Sequence, residues 1–299
     1  MKRFLLLLAL PAQALAEDVT WEFRKGTIYT YEAETILEWN LAAPVGANGI
    51  PKSRKQRQEE YVTLRLEVLS IDEKGNAKIE GTFPAVKVEN TTFSKVSWDS
   101  GKSKTSEFLG FKRYESLLTL KFTATVAPAG RVLSAENAGT PDRAPTPNTA
   151  KEHVEAAALD MHDPTTPRVW LELIFGAVPP SKKKTPRTIR FIEEESLEVS
   201  FDRNETKDGR ACSKLSFDTP ERASSIPVKD VSGATTSDPN AIAWAAVRRG
   251  VKKGEAWFDR KNRCLAKFEA ECDASIGWGP GSTSARMTWK AELKKQEVK

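Results

Sequence analysis

Residues 254–272 read GEAWFDRKNRCLAKFEAEC. Polar turn residues occupy Asp259 to Asn262, and beyond them the letters alternate. Cys264, Ala266, Phe268, Ala270 and Cys272 fall on one face, and Leu265, Lys267, Glu269 and Glu271 fall on the other. A two-residue period is that of a strand buried on one side only. The fold therefore turns on what the Cys264 to Cys272 face covers: a core, a ligand cavity, or reactive thiols.

The same grammar extends outward in both directions. In TIYTYEAETILEW, Tyr29, Tyr31, Ala33, Thr35, Leu37 and Trp39 share a face and glutamates dominate the other. Val62, Leu64, Leu66 and Val68 form the next apolar face; DEKGN at 72–76 turns the chain, and Ala77, Ile79, Gly81 and Phe83 return, which predicts a hairpin. Leu118, Leu120, Phe122, Ala124 and Val126 alternate with polar residues before the PAGR turn at 128–131. Further on, Leu197, Val199 and Phe201 lead into a polar turn, DRNETKDG, from which Ala211, Ser213, Leu215 and Phe217 come back. A polar loop follows from about 219 to 240, and Met287, Trp289, Ala291 and Leu293 mark the last strand. Amphipathic strands of this kind belong to antiparallel sheets with one wet face.

The exception lies between the halves. AENAGTPDRAPTPNT is a Pro-rich connector, and TAKEHVEAAALDMHDP predicts a helix with a Thr149/Glu152 capping box that stops at Pro164. A second short helix is expected from Arg168 to about Phe175, with Pro167 at its start and Gly176 at its end. The fold class is thus mainly β: a large antiparallel curved sheet, as a half-barrel or a sandwich, with a short central helical insert. The chain divides into a signal peptide (1–16), an N-terminal β half (17–134), a connector with the helical insert (135–187) and a C-terminal β half (188–299). One continuous β-structure is preferred to two stacked units.

The leader MKRFLLLLALPAQALA has Lys2 and Arg3, a short apolar run and an Ala14-Leu15-Ala16 cleavage pattern. It predicts export to the periplasm or the extracellular space. The apolar run is shorter than the roughly 20 residues a bilayer span needs, and no transmembrane segment is expected in the mature chain. Removal of Lys2 and Arg3 with the leader leaves 44 basic against 41 acidic residues, a charge of +3 over 283 residues, too little to argue for nucleic acid. The basic clusters KSRKQR (52–57) and KKK (182–184) sit beside Pro or Gly and read as solvated loops.

Three cysteines in an exported chain suggest one disulfide and one spare thiol. In one strand Cys264 and Cys272 would lie about 26 Å apart, beyond the roughly 7 Å limit for a bridge. The candidates are therefore Cys212 with Cys264 or Cys212 with Cys272.

Catalytic motifs fare poorly. His153 and His162 are nine residues apart on a helix, about half a turn out of phase, so they do not share a metal. SGKSKT at 100–105 lacks the upstream glycine of a phosphate-binding loop, since Val96 stands there. GWGPGSTS at 277–284 joins two strands and reads as a hairpin loop. The run Glu193 to Glu195 reads as a charged edge. No catalytic residue, metal site or cofactor is expected. Eight Trp and thirteen Phe are spread along the strands, and Trp39, Phe83, Phe122, Phe268 and Trp289 are the residues expected nearest any apolar cavity that a curved sheet encloses.

An export signal followed by FRKGTIYTYEAE, LEVLSIDEKGNAKIEG, TLKFTATVAPAGRVLS and GEAWFDRKNRCLAKFEAE resembles an uncharacterised family of exported β-rich proteins common in Planctomycetes and relatives. The G-x-A-x-F-D turn at Gly254 to Asp259 is the most specific part of that resemblance, which implies a β-rich fold and no particular activity. The strand-turn-strand pattern around GEAWFDRKNRC is also similar to periplasmic lipoprotein carriers, whose open half-barrel holds acyl chains under a helical lid. Taken together, the sequence points first to an exported, non-enzymatic binding or structural protein of the cell envelope, with an apolar small molecule, a lipid or an envelope protein as partner. The alternatives are a lipid carrier and an envelope glycan hydrolase that uses paired carboxylates.

Overall fold

The computed structural model describes residues 20–42, 53–91, 95–107, 111–138, 167–178, 187–191, 195–218, 222–228, 243–278 and 281–299. The expected signal peptide, the helix expected over 149–163 with its two histidines, the 182–184 cluster, and Glu193 and Glu194 lie outside them. So do the side chains of Trp39 and Cys272.

Among the described residues thirteen strands form a single sheet in which every pairing is antiparallel. In chain order they are β1 (Thr27–Ala42), β2 (Ser53–Ile71), β3 (Ala77–Asn90), β4 (Val96–Asp99), β5 (Lys121–Val126), β6 (Val132–Ala138), β7 (Arg187–Phe191), β8 (Glu195–Lys207), β9 (Arg210–Asp218), β10 (Arg222–Val228), β11 (Ala243–Asp259), β12 (Cys264–Trp278) and β13 (Gly281–Val298). Among the described residues two helices accompany them: α1 (Lys112–Leu117) and α2 (Pro167–Gly176). Across the sheet the order is β6-β5-β3-β2-β1-β13-β12-β11-β9-β8-β7, with β4 also on β3 and β10 also on β11. β1 pairs with both β2 and β13, so the first and last strands of the described chain lock together at the centre.

The inner face is where the alternation predicts it. Tyr29, Tyr31, Ala33 and Leu37 on β1, Val62 to Val68 on β2, and Met287 to Leu293 on β13 are all buried in one continuous core. Large and small residues face each other across strands, with Phe268 opposite Ala291 and Ala270 opposite Trp289. Register shifts interrupt five ladders, and such bulges bend and twist a sheet.

The helix α2 lies on this face and touches β6 and β7, the two edges of the sheet, as well as β12 near its middle. Trp170, Leu171, Leu173, Ile174 and Phe175 are buried on all its sides, as expected for a helix enclosed by other elements. The sheet therefore curls until both free edges meet one helix. Trp21 secures the contact: its Nε1–H donates to the Phe175 carbonyl at 3.1 Å, and its ring packs on Phe23, Tyr29, Phe175 and Phe258.

Five local expectations need correction. The segment read as a polar loop from about 219 to 240 is strand over Arg222–Val228, which pairs with β11. The DRNETKDG segment is not one long turn. β8 continues to Lys207, and only Asp208 and Gly209 turn, both with positive φ, the two-residue geometry that matches strand twist. KSRKQR is not a loop from Ser53 onward, because β2 begins there. The face opposite Cys264 is not wholly wet: between the pairs Trp257–Lys267 and Phe258–Leu265 the register slips by one residue. That slip turns Leu265 into the core and leaves Ala266 in a small outer cluster with Trp257 and Cys212. Lastly, α1 was not anticipated, although Phe111, Tyr114 and Leu117, three residues apart, are its buried face.

Phe268 is buried, with its ring 5.5 Å from that of Phe217 in edge contact. Phe268→Ala is expected to lower unfolding free energy by about 3–5 kcal/mol, read as a shift in the urea midpoint. Gly81 lies under the Phe122 ring, where an added Cβ would sit 1.9 Å from Cζ. Gly81→Ala should therefore also destabilise, by about 1–3 kcal/mol; an unchanged midpoint would show that the ring moves aside freely.

Candidate functional site

The inner wall changes character along β2. Its inward positions run Gln56, Gln58, Glu60, Val62, Leu64, Leu66, Val68, so an unbroken period passes from polar to apolar residues. The polar end is buried and networked. Gln58 Nε2 donates to Glu60 Oε1 and to the Tyr114 hydroxyl, each at 2.7 Å, and Asn90 Nδ2 donates to Gln58 Oε1 at 3.1 Å. The Tyr114 hydroxyl donates to Glu60 Oε1. Tyr114 comes from α1, so this network fastens that helix to the wall. Thr35, from β1, lies directly opposite Glu60. Sequence reasoning missed the site because the basic letters between these residues suggested a loop. The available signal was that Gln56, Gln58 and Glu60 are in phase with the valines and leucines that follow.

The aromatic residues expected near a cavity are placed as follows. Phe83 on β3 and Phe122 on β5 come together, ring centroids 5.8 Å apart. Phe268 on β12 meets Phe217 instead. Trp289 lies between them on β13, opposite both Ala270 and Thr35. All four are buried in the continuous core. Trp39 occupies a β1 position opposite Gln56 and Ala285.

The cysteines do not bridge as expected. Cys212 and Cys264 are free and buried. Each lies opposite Asp259, on either side of β11. With a whole strand between them their Cα atoms are about 10 Å apart, beyond bridging distance. Cys272 lies opposite Val251 and Met287, far along β12 from the Cys212 row, so register opposes that pairing too. Burial, reinforced by the Asp259 carboxylate, pushes the Cys212 thiol up to about 11 and the Cys264 thiol up to about 12.

Asp259 itself forms the turn. Its Oδ1 accepts the N–H groups of Lys261 at 2.9 Å and Asn262 at 3.0 Å, and its Oδ2 accepts Asn262 Nδ2 at 2.7 Å. The G-x-A-x-F-D segment is thus a structural turn. SGKSKT is another: Gly101 N–H bonds Asp99 Oδ1 at 2.8 Å, and Trp98 Nε1 donates to the Ser103 carbonyl at 3.1 Å. GWGPGSTS joins β12 to β13, with Trp278 paired to Gly281.

The outer face carries charge. A trough of about 620 Å³ crosses β3, β2, β1, β13 and β12. Its groups close on one another: Lys290 on Glu34 at 2.8 Å, Lys267 on Glu269 at 2.8 Å and Lys294 on Glu292 at 3.0 Å. Glu59 and Glu89, opposite each other on β2 and β3, are held below the usual carboxylate range, Glu59 by hydrogen bonds from Tyr61 and Arg57 and Glu89 by those from Lys87 and Lys95. A glycosidase acid needs the opposite shift. Among the described residues no group of three His, Cys, Asp or Glu side chains is placed to hold a metal ion, and no helix is long and apolar enough to cross a membrane.

No family model matches the chain, so its resemblance to the exported Planctomycetes family has no such match behind it. No curated protein matches it significantly. Among solved structures it is similar to one described as "lipid-protein interactions in lipovitellin", at 12% identity and a TM-score of 0.45, covering 93% of this chain and 26% of that one. It is also similar to a DUF1329 family protein from Desulfovibrio piger, at 9% identity and a TM-score of 0.17, covering 89% and 86% of the two chains. The chain spans about a quarter of the length of the lipovitellin chain.

Two outcomes follow from this geometry. Native Cys212 and Cys264 should resist a thiol reagent at pH 8 and react only on unfolding. Because their folded values are raised, the stability they lend is intact below the ordinary thiol value of 9.0 and is lost as pH rises through about 11 and about 12. Rapid native labelling of either thiol would contradict that burial. Tyr114→Phe removes a donor to buried Glu60 and should cost about 1–3 kcal/mol in a urea melt.

Proposed function

We infer that the protein is an exported, non-enzymatic binding protein that holds an apolar ligand, such as a lipid acyl chain, against the inner wall of its sheet. The observation that carries this reading is a continuous apolar core along the inner face, polar only toward its Gln56 to Glu60 end, on an open sheet whose two edges meet on one mainly apolar helix rather than on each other. An open wall of this kind admits a chain-like molecule along α2 without breaking strand-to-strand hydrogen bonds, whereas a closed barrel offers entry only at its ends. Concave, mostly apolar surfaces with a few placed polar groups are the usual setting for small-molecule binding, and the network of Gln58, Glu60, Asn90 and Tyr114 supplies polar groups at one end of the wall.

Two features favour binding over catalysis. Of the buried carboxylates Glu60, Glu172 and Asp259, Glu60 and Asp259 are engaged in holding a helix and a turn, and the outer Glu59/Glu89 pair is held ionised by its neighbours. Export rests on the leader sequence, with Lys2, Arg3 and the Ala14 to Ala16 cleavage pattern.

Native mass spectrometry of the exported protein, followed by analysis of its organic extract, tests the reading. A reproducible added mass that passes into the extract as a lipid is the expected result. A clean apo mass, together with failure to take up a fluorescent fatty acid, would refute it.

A further inference from the structure

The mature chain is nearly neutral, yet its charge is not evenly spread. Two hairpin tips lie side by side at one end of the sheet: Lys207 to Arg210 between β8 and β9, and Asp259 to Arg263 between β11 and β12. The Arg260 N–H donates to the Ala211 carbonyl at 3.0 Å, which ties one tip to the other. Together they hold five cations, Lys207, Arg210, Arg260, Lys261 and Arg263, against Asp208 and Asp259. Their net charge of +3 equals that of the whole chain without its leader. Asp259 is buried in its own turn, so Asp208 is the one carboxylate these tips expose.

Polar hairpin tips are ordinary, but basic ones are not the rule in this molecule. The β2–β3 tip, Asp72 to Asn76, carries two carboxylates and one lysine. Arg260 and Lys261 are exposed. The Lys207 ammonium is held over the Trp257 ring, 4.7 Å from its centroid, with Lys214 and Lys267 at 5.6 and 5.8 Å on the same indole. Exposed Lys25 adds to the rim, and Arg263 reaches Glu22 at 3.9 Å, which brings the 22–25 segment alongside.

The geometry points to this basic rim as a docking surface for an anionic lipid bilayer. A cluster of lysines and arginines at one end of a chain that is otherwise neutral is attracted to acidic headgroups without any pocket, and the attraction fades within a Debye length. Trp257 is buried beneath its lysines, so the tips offer no open aromatic for base stacking, which single-stranded nucleic acid would use. The inference stands whether or not the inner wall holds a ligand.

Vesicle co-sedimentation tests it, using phosphatidylcholine alone and phosphatidylcholine with phosphatidylglycerol. The protein should pellet with the acidic vesicles only, and added salt should release it. The triple variant Lys207→Ser, Arg260→Ser, Lys261→Ser should bind about fivefold more weakly per charge removed, roughly a hundredfold in all. None of the three makes a side-chain ion pair or hydrogen bond that closes the fold among the described residues, and the thermal melt should confirm that the variant is folded. A Lys87→Ser, Lys290→Ser control in the outer trough should bind as the parent does. Equal pelleting with neutral vesicles, retention by the folded triple variant, or binding to heparin without binding to acidic vesicles would each overturn the assignment. Pelleting and extracted lipid are separate readouts, so this inference and the ligand reading can fail independently.

Discussion

The hydrogen bond from Trp21 Nε1–H to the Phe175 carbonyl is the point on which the rest of the architecture converges. The last carbonyls of a helix have no partner within it, and a buried one needs a donor from elsewhere. Trp21 supplies that donor from its indole while its backbone N–H donates to the Pro128 carbonyl in the β5–β6 turn. The same turn is packed so closely that a Cβ on Gly130, which has φ of +79°, would lie 1.9 Å from the Phe175 oxygen. One tryptophan, through its backbone and its indole, therefore joins the segment before β1, the tip of an edge hairpin and the end of α2. It adds a directional contact to a helix already seated by the burial of Trp170, Leu171, Leu173, Ile174 and Phe175.

From that constraint the two faces acquire different roles. The inner face is apolar because it must accommodate α2, and it becomes polar only under α1, where Tyr114, Gln58 and Glu60 satisfy one another. The outer face carries alternating lysines and glutamates that pair across neighbouring strands, as Lys290 does with Glu34. Such exposed pairs contribute little stability individually, but they make the outer face polar where the inner one is apolar. The basic hairpin tips depart from this balance, which is why they stand out.

Much of the fold was legible from the alternation of letters. Tyr29 to Leu37, Val62 to Val68 and Met287 to Leu293 face inward as their periods require, and α2 occupies the segment between Pro167 and Gly176. What was misread has identifiable causes. The basic letters Arg54, Lys55 and Arg57 masked the inward phase of Gln56, Gln58 and Glu60, so the polar end of the wall went unseen. Leu265 looked wet because a period of two takes no account of a bulge, and the slip at Trp257/Phe258 exchanges the faces. The Cys212–Cys264 bridge was plausible only while their separation was unknown, and β11 lies between them.

The sequence by itself determined most of the long strands, the apolar face of each where no bulge intervenes, and where several hairpins turn, because these depend on neighbours a few residues away. Only the tertiary structure decided strand order, the meeting of both sheet edges on α2, the burial of a carboxylate beneath α1 and the clustering of two distant basic tips. These arise from contacts between segments far apart in the chain, such as Trp21 with Phe175 or Arg260 with Ala211. Local periodicity carries no information about them, because the same alternation fits many orders of strands.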